Sequence, residues 1–266
     1  MIDQKTEIII NKKIADGTYL LGLNAHKIVS TAKPGQFVMI RLTSENDPFL
    51  RRPFSISGIR EDCLFIIYRV VGQGTRILCS LQKGEYIQTL GPLGKGFAIP
   101  RFDQKAVLVA GGLGIAPLVF LAQKIDPDRL DFLAGFRSAK DVVDIRVLGL
   151  KDVGLTLATD DHSLGQGGTV TKILEDLLLK PGQSAPIVFS CGPLLMLKQV
   201  VKITKKFRIE CQVSLESSMA CGVGACQGCA IKSASSYGTS YLHVCKDGPV
   251  FRSEALDWNK YDLKKT

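Results

Sequence analysis

From residue 5 to about residue 100, apolar positions fall in short runs, TEIIINKKIA, TYLLGLN, QFVMIRL, CLFIIYRVV and EYIQTL, parted by Gly, Pro and Asp or Asn. Short β-rich runs at this spacing predict a small antiparallel β barrel. Beyond Pro100 the texture changes: the runs AVLVAG, LDFLAGF, LTLATD and IVFSC alternate with helix-length segments over 115–125, 139–147, 169–179 and 194–206. Such alternation predicts an α/β domain with a parallel sheet wrapped by helices. Residues after about 211 are rich in Gly, Cys, Ser and Ala and carry no long periodic segment. They cannot build much apolar core of their own, so something else, such as a metal cluster, must hold them. The pattern thus divides the chain into a β barrel over 1–100, an α/β parallel-sheet domain over 101–210 and a small C-terminal module over 211–266.

Composition changes this picture little. With 266 residues, 45% of them hydrophobic, the chain can bury a sizeable core. Its formal charge of +9 is spread along the sequence, and no block is basic enough for a nucleic-acid footprint. The run Lys202, Lys205, Lys206 and Arg208 has helical spacing and reads as a solvated face. The opening MIDQKTEIIINKK offers a three-residue apolar run between charges, which is neither a signal-peptide core nor a membrane span. A cytoplasmic chain with no membrane partner is expected.

The eight cysteines change it more. Cys221-Gly-Val-Gly-Ala-Cys226-Gln-Gly-Cys229, followed by Cys245, has the C-x4-C-x2-C…C spacing of plant-type [2Fe-2S] ligation. Two irons bridged by sulfide require four soft anionic ligands. The small residues between them, Gly222, Gly224, Ala225 and Gly228, let backbone N–H groups approach the sulfurs. A four-cysteine zinc site usually pairs two C-x2-C knuckles, which this stretch lacks, and a core of this size needs no disulfide staples. Cys63, Cys79 and Cys211 read as buried small hydrophobes in or near strands.

Two further constellations carry chemistry. Arg52-Pro53-Phe54-Ser55 sets a cation and a hydroxyl beside an aromatic on a β-like segment, where Arg can pair with a pyrophosphate and Phe-Ser can line an isoalloxazine. Tyr68-Arg69-Val70-Val71-Gly72-Gln73-Gly74-Thr75 leads into a helix whose free N–H groups bind anions. Together these fit one dinucleotide flavin, FAD. Downstream, AVLVAGGLGIAPL runs from an apolar strand through Gly111, Gly112 and Gly114 into a helix, the context a nucleotide phosphate site requires. Pro117 stands at the third glycine position of G-x-G-x-x-G, which disfavours an ordinary Rossmann dehydrogenase. Cys191-Gly192-Pro193 ends the strand IVFS at the same sheet edge. A thiol there would sit over a nicotinamide, and a buried structural cysteine is the competing reading.

Taken in order, RRPFSIS, the VGQGT turn, GPLGKGF, GGLGIAPL, CGP and the cysteine cluster resemble the ferredoxin-reductase superfamily. The ending MACGVGACQGCAI with HVCKDGPVF resembles the electron-transfer subunits of the NAD-dependent, two-protein dihydroorotate dehydrogenases. That resemblance implies a ferredoxin-reductase-like fold with an FAD barrel, an NAD domain and a [2Fe-2S] module, so the chain is expected to be an oxidoreductase subunit. It implies FAD contacts at Arg52, Pro53, Phe54, Ser55, Ile67, Tyr68, Arg69, Gly74 and Thr75. NAD contacts are implied at Gly111 to Gly114, Asp160, Cys191 and Gly192, and cluster ligation at Cys221, Cys226, Cys229 and Cys245. It also implies an FMN-containing dihydroorotate dehydrogenase catalytic subunit as partner, in a heterotetramer of two of each. No side chain of this chain need act as a general acid or base. The rival of the same chemistry is a reductase subunit for another partner, of the sulfide dehydrogenase or ferredoxin transhydrogenase type; the rival from another class is a zinc-stabilised binding module. Lys95, His162 and Ser218 depart from the family pattern, where Asn, Gly and Arg are common. Arg137, after the second strand of the α/β domain, stands where an Arg can clamp the 2′-phosphate of NADP; the resemblance weighs for NAD(H), with Arg137 a surface or interface residue.

Overall fold

The structure, a computed structural model, describes residues 1–42, 48–180 and 185–260. Its N-terminal part holds strands β1 (Ile2–Ala15), β2 (Thr18–Asn24), β3 (Phe37–Arg41), β4 (Arg52–Ser55), β5 (Gly58–Arg60), β6 (Cys63–Arg69) and β7 (Tyr86–Leu93), with helices α1 (His26–Val29) and α2 (Gln73–Ser80). They form one antiparallel sheet in the order β4-β3-β7-β1-β2-β6-β5. Its two edge strands are consecutive in sequence, separated by Ile56 and Ser57. Ser57 N–H donates to Phe65 O, and Ile67 N–H donates to Ser57 Oγ. Ile56 and Ser57 thus carry the chain from one edge to the other, and β4 comes to lie against β6. Period-two alternation sends Leu21 and Leu23 of β2, Val38 and Ile40 of β3, and Leu64, Ile66 and Tyr68 of β6 into one interior core. Five strands follow the runs read from sequence; β5, three residues long, was too short to give a pattern.

The second sheet is built from β8 (Ala106–Gly111), β9 (Leu130–Phe136), β10 (Leu155–Thr159), β11 (Gln166–Gly167), β12 (Ile187–Cys191), β13 (Cys211–Ser214) and, further along, β16 (Val250–Arg252). Its order is β11-β10-β9-β8-β12-β13-β16, parallel throughout except for β16. Helix α3 (Ile115–Ala122) covers one face, and α4 (Val170–Leu178) and α5 (Leu194–Lys206) cover the other. β8 shows why both faces are dry. Ala106, Leu108 and Ala110 pack toward α3, while Val107 and Val109 pack toward α4 and α5, which is the continuous apolar run of a strand buried on both sides.

Three expectations meet a different local structure. Residues 139–147 hold two short 3₁₀ turns, Ala139–Asp141 and Ile145–Leu148, instead of a helix. Val142 between them is extended, and the Asp144 carboxylate caps the second turn by accepting from Arg146 N–H; paired β-branched residues and a capping Asp favour this over a continuing helix. The central sheet also extends past residue 210, because β13 and β16 come from the segment expected to form the third module alone. The apolar Cys211 and Val213 sit fully in its core. Finally, Cys63 and Cys79 are half-buried, and Cys79 lies on α2, whereas Cys211 is buried. The residues between β13 and β16 form a loop carrying the four clustered cysteines and a small hairpin of β14 (Ala230–Lys232) and β15 (Tyr241–His243).

Candidate functional site

A cavity of about 570 Å³ opens between the barrel and the α/β domain. Arg52, Pro53, Phe54, Ser55, Ile67, Tyr68, Arg69, Gly74 and Thr75 all line it, so the nine residues read as flavin contacts come together in one place. The rolled sheet arranges this by setting β4 beside β6. Gly74 is small for a reason: a Cβ there would lie 2.7 Å from Leu42 and 3.3 Å from the Arg52 side chain. The Thr75 hydroxyl accepts from the N–H groups of Val71 and Gly72, which fixes the turn and leaves α2 pointing its N-terminus at the cavity. Tyr68 stacks on Tyr19 at 5.6 Å and donates to Asn11 Oδ1 at 2.9 Å; burial pushes its phenol well above the usual range.

A second cavity, about 780 Å³, lies at the carboxyl ends of β8, β9, β10 and β12. Gly111, Gly112, Gly114, Asp160 and Gly192 line it, the crevice where open α/β sheets bind ligands. Two glycine loops meet there backbone to backbone: a Cβ on Gly114 would sit 2.1 Å from Cys191 O, and one on Gly192 would sit 2.9 Å from Gly111 Cα. Arg137, expected as a surface or interface residue, is exposed but stands at the rim of this cavity. His162 has φ 59, the left-handed backbone that explains why glycine is common at that position.

Cys191 is buried at the end of β12 beside Ser214, its neighbour on β13, and it faces the first cavity. Burial pushes its thiol far above the ordinary range, so it is no thiolate nucleophile. Arg69, Leu113 and Glu216 line both cavities. Arg69 Nη2 also donates to Asp141 Oδ1 at 3.0 Å, tying the barrel to the α/β domain. Glu216 keeps accessible surface because it faces open cavity, yet protein encloses its other sides and that burial raises its carboxyl pKa. Leu113 lies within the Gly111 to Gly114 stretch and Met219 opens the MACGVGACQGCAI ending; Glu216 carries no motif of its own, so sequence reading passes over it.

The cysteines form two pairs. Cys226 N–H and Val223 N–H each donate to Cys221 Sγ at 3.4 Å. Cys229 Sγ lies 3.3 Å from Cys245 Sγ, which also accepts Gly224 N–H at 3.1 Å. Burial acts to raise the Cys221 thiol, but the N–H groups of Cys226 and Val223 outweigh it and hold the thiol down to about 6. No three His, Cys, Asp or Glu side chains among the described residues converge on one ion. Two pairs with N–H groups aimed at sulfur suit two irons with two thiolates each.

A family model described as the iron-sulfur cluster binding domain of dihydroorotate dehydrogenase B matches residues 216–257. The chain is 38% identical over 257 residues to the "Dihydroorotate dehydrogenase B (NAD(+)), electron transfer subunit" of Caldanaerobacter subterraneus subsp. tengcongensis, covering 95% of this chain and 97% of that one. This chain belongs to that family. The family's electron transfer subunit of Clostridium acetobutylicum is 37% identical, with 94% and 95% covered. Among solved structures, the NADH-dependent reduced ferredoxin-NADP oxidoreductase superposes with TM-score 0.82 at 28% identity, covering 96% of this chain and 90% of that one. A ferredoxin NADP+ reductase from Neisseria gonorrhoeae superposes with TM-score 0.65 at 17% identity over 77% of this chain and 91% of that one, which shows the shared fold.

Proposed function

We propose that the chain is the electron-transfer subunit of a dihydroorotate dehydrogenase, passing electrons from a dihydroorotate-oxidising partner through a [2Fe-2S] cluster and FAD to NAD+ in pyrimidine biosynthesis. The observation that carries this reading is the adjacency of three sites: two cavities share Arg69, Leu113 and Glu216, and the wall of the first runs directly into the cysteine loop. FAD, when bound, exchanges hydride with a nicotinamide and single electrons with a cluster. The protein's part is to hold those groups. Arg52 supplies the cation for the pyrophosphate, with α2 presenting N–H groups beside it; the glycine loops at Gly111, Gly112, Gly114 and Gly192 admit NAD close to the backbone, with Asp160 at the ribose side. Cys221, Cys226, Cys229 and Cys245 hold the cluster. The division of labour follows the three regions 1–100, 101–210 and 211–266, with β13 and β16 anchoring the last to the second.

The partner in this proposal is an FMN-containing catalytic subunit, two copies of each chain forming a heterotetramer in the cytoplasm. No helix among the described residues is long and apolar enough to cross a membrane. Identity of 36–38% to electron-transfer subunits of dihydroorotate dehydrogenase B, against 28% to the ferredoxin-NADP oxidoreductase, supports this partner over other iron–sulfur flavoprotein partners. Reconstitution tests it. The chain mixed with the catalytic subunit should form NADH on addition of dihydroorotate, and neither chain alone should do so. Dihydroorotate oxidation by this chain alone would overturn the assignment.

A further inference from the structure

One residue borders both the first cavity and the start of the cysteine loop. Met219 lines the cavity, and a single residue, Ala220, separates it from Cys221. Pro249 also lines the cavity, but three residues lie between it and Cys245. Half-buried, Met219 packs against the apolar cluster that contains Met39, Leu93, Cys229 and Cys245. Beyond it, a Cβ on Gly222 would lie 2.7 Å from Met39 Cγ and 3.3 Å from Leu93 Cδ1, so the loop just beyond Cys221 is pressed onto β3 and β7. On the far side, Cys226 and Val223 are exposed.

We propose that Met219 is the bridging residue for electrons moving between the flavin cavity and the Cys221 side of the cluster, in preference to the route through Pro249 and Cys245. The inference rests on the flavin and cluster reading given above. Tunnelling decays exponentially with distance, and faster across empty space than through packed atoms. An unbranched, polarizable thioether fills an irregular partition well. Each transfer takes one electron from reduced flavin and turns one ferric iron ferrous, and that iron hands its electron to the partner before the next. Two transfers and the release of one proton return the flavin hydroquinone anion to its oxidised form; running backwards, the same steps carry electrons toward NAD+.

The test is rapid-mixing spectroscopy of the complex with its catalytic subunit. Anaerobic NADH reduces the sample while flavin bleaching and cluster reduction are followed separately, the latter by freeze-quench electron paramagnetic resonance. Met219→Ala should slow cluster reduction relative to flavin bleaching at unchanged reduction potentials, and Met219→Leu should retain most of the rate. Cluster reduction at the wild-type rate in Met219→Ala would overturn the proposal. If Met219→Ala does not retain FAD and iron, Met219→Val carries the same comparison with an apolar wall intact. A wild-type complex lacking FAD or iron would instead sink the underlying reading.

Discussion

Gly114→Ala isolates what the meeting of the two glycine loops contributes. Gly114 has helical dihedrals, φ −58 and ψ −11, and in helical backbone Ala is favoured over Gly by about 1 kcal/mol. In open space the substitution would therefore stabilise. Here the new Cβ lands 2.1 Å from Cys191 O, 2.4 Å from Cys191 C and 2.6 Å from Gly192 N, all short of the 3.4 Å at which ordinary contact begins. These are backbone atoms of a strand end hydrogen-bonded within the central sheet, so no rotamer change relieves the clash. Overpacking of this kind costs about 3 kcal/mol, the upper end of the usual range, and the difference leaves a net loss of about 2 kcal/mol. For a chain of this size that lowers Tm by about 4–8 °C. Because the two loops must part, KM for NADH should rise as well. Gly112→Ala is the internal comparison: its Cβ meets nothing within 4 Å, but φ is +51, so backbone strain alone costs about 1–2 kcal/mol. Thermal unfolding and steady-state diaphorase kinetics measure both variants. A Gly114→Ala protein as stable as wild type with unchanged KM would refute the close-approach argument.

Cys226→Ser should abolish cluster assembly while FAD stays bound, since the flavin cavity draws no wall from Cys226; iron and acid-labile sulfide at wild-type levels would sink the ligand assignment. NADH should be the better diaphorase substrate, because Asp160 lines the same cavity as Arg137 and would repel a 2′-phosphate; a higher kcat/KM with NADPH would reverse this. Enclosure raises the Glu216 carboxyl pKa, so folding favours its protonated form: that contribution is complete below the ordinary carboxylate pKa and is lost as pH rises through the raised value. Glu216→Gln should therefore gain Tm relative to wild type as pH increases, and a Tm difference that stays constant between about pH 4 and pH 8 would count against it.

Legibility in the sequence followed the length scale of each signal. β8 and β12 announce themselves because a strand buried on both faces needs an unbroken apolar run, and the cysteine spacing is legible because ligand geometry constrains it over a few residues. Residues 139–147 misled because their helical period is interrupted by Val142 and Val143 and by Asp144, whose carboxylate competes for backbone N–H. The position of Cys191 was half legible: its strand end was evident, but that its thiol faces the first cavity depends on how the barrel docks. That Glu216 and Met219 stand at the cavity wall is not legible in advance, although Met219 opens the MACGVGACQGCAI ending. Their importance comes from a chain path that leaves β13, skirts one cavity and enters the cysteine loop, and no local pattern encodes that path.

β13 leads out of the central sheet toward the cysteines, and β16 leads back to pair with it antiparallel, Gln212 opposite Arg252 and Ser214 opposite Val250. The iron-binding segment is thus a loop cinched at its neck. A redox carrier on a free tail would sample many distances from its donor and average over them, whereas a cinched loop offers one distance and cannot swing between partners. Encounter with the second polypeptide must then do the work that a tether would otherwise do, and turnover should respond to whatever alters docking more than to the stiffness of the loop itself.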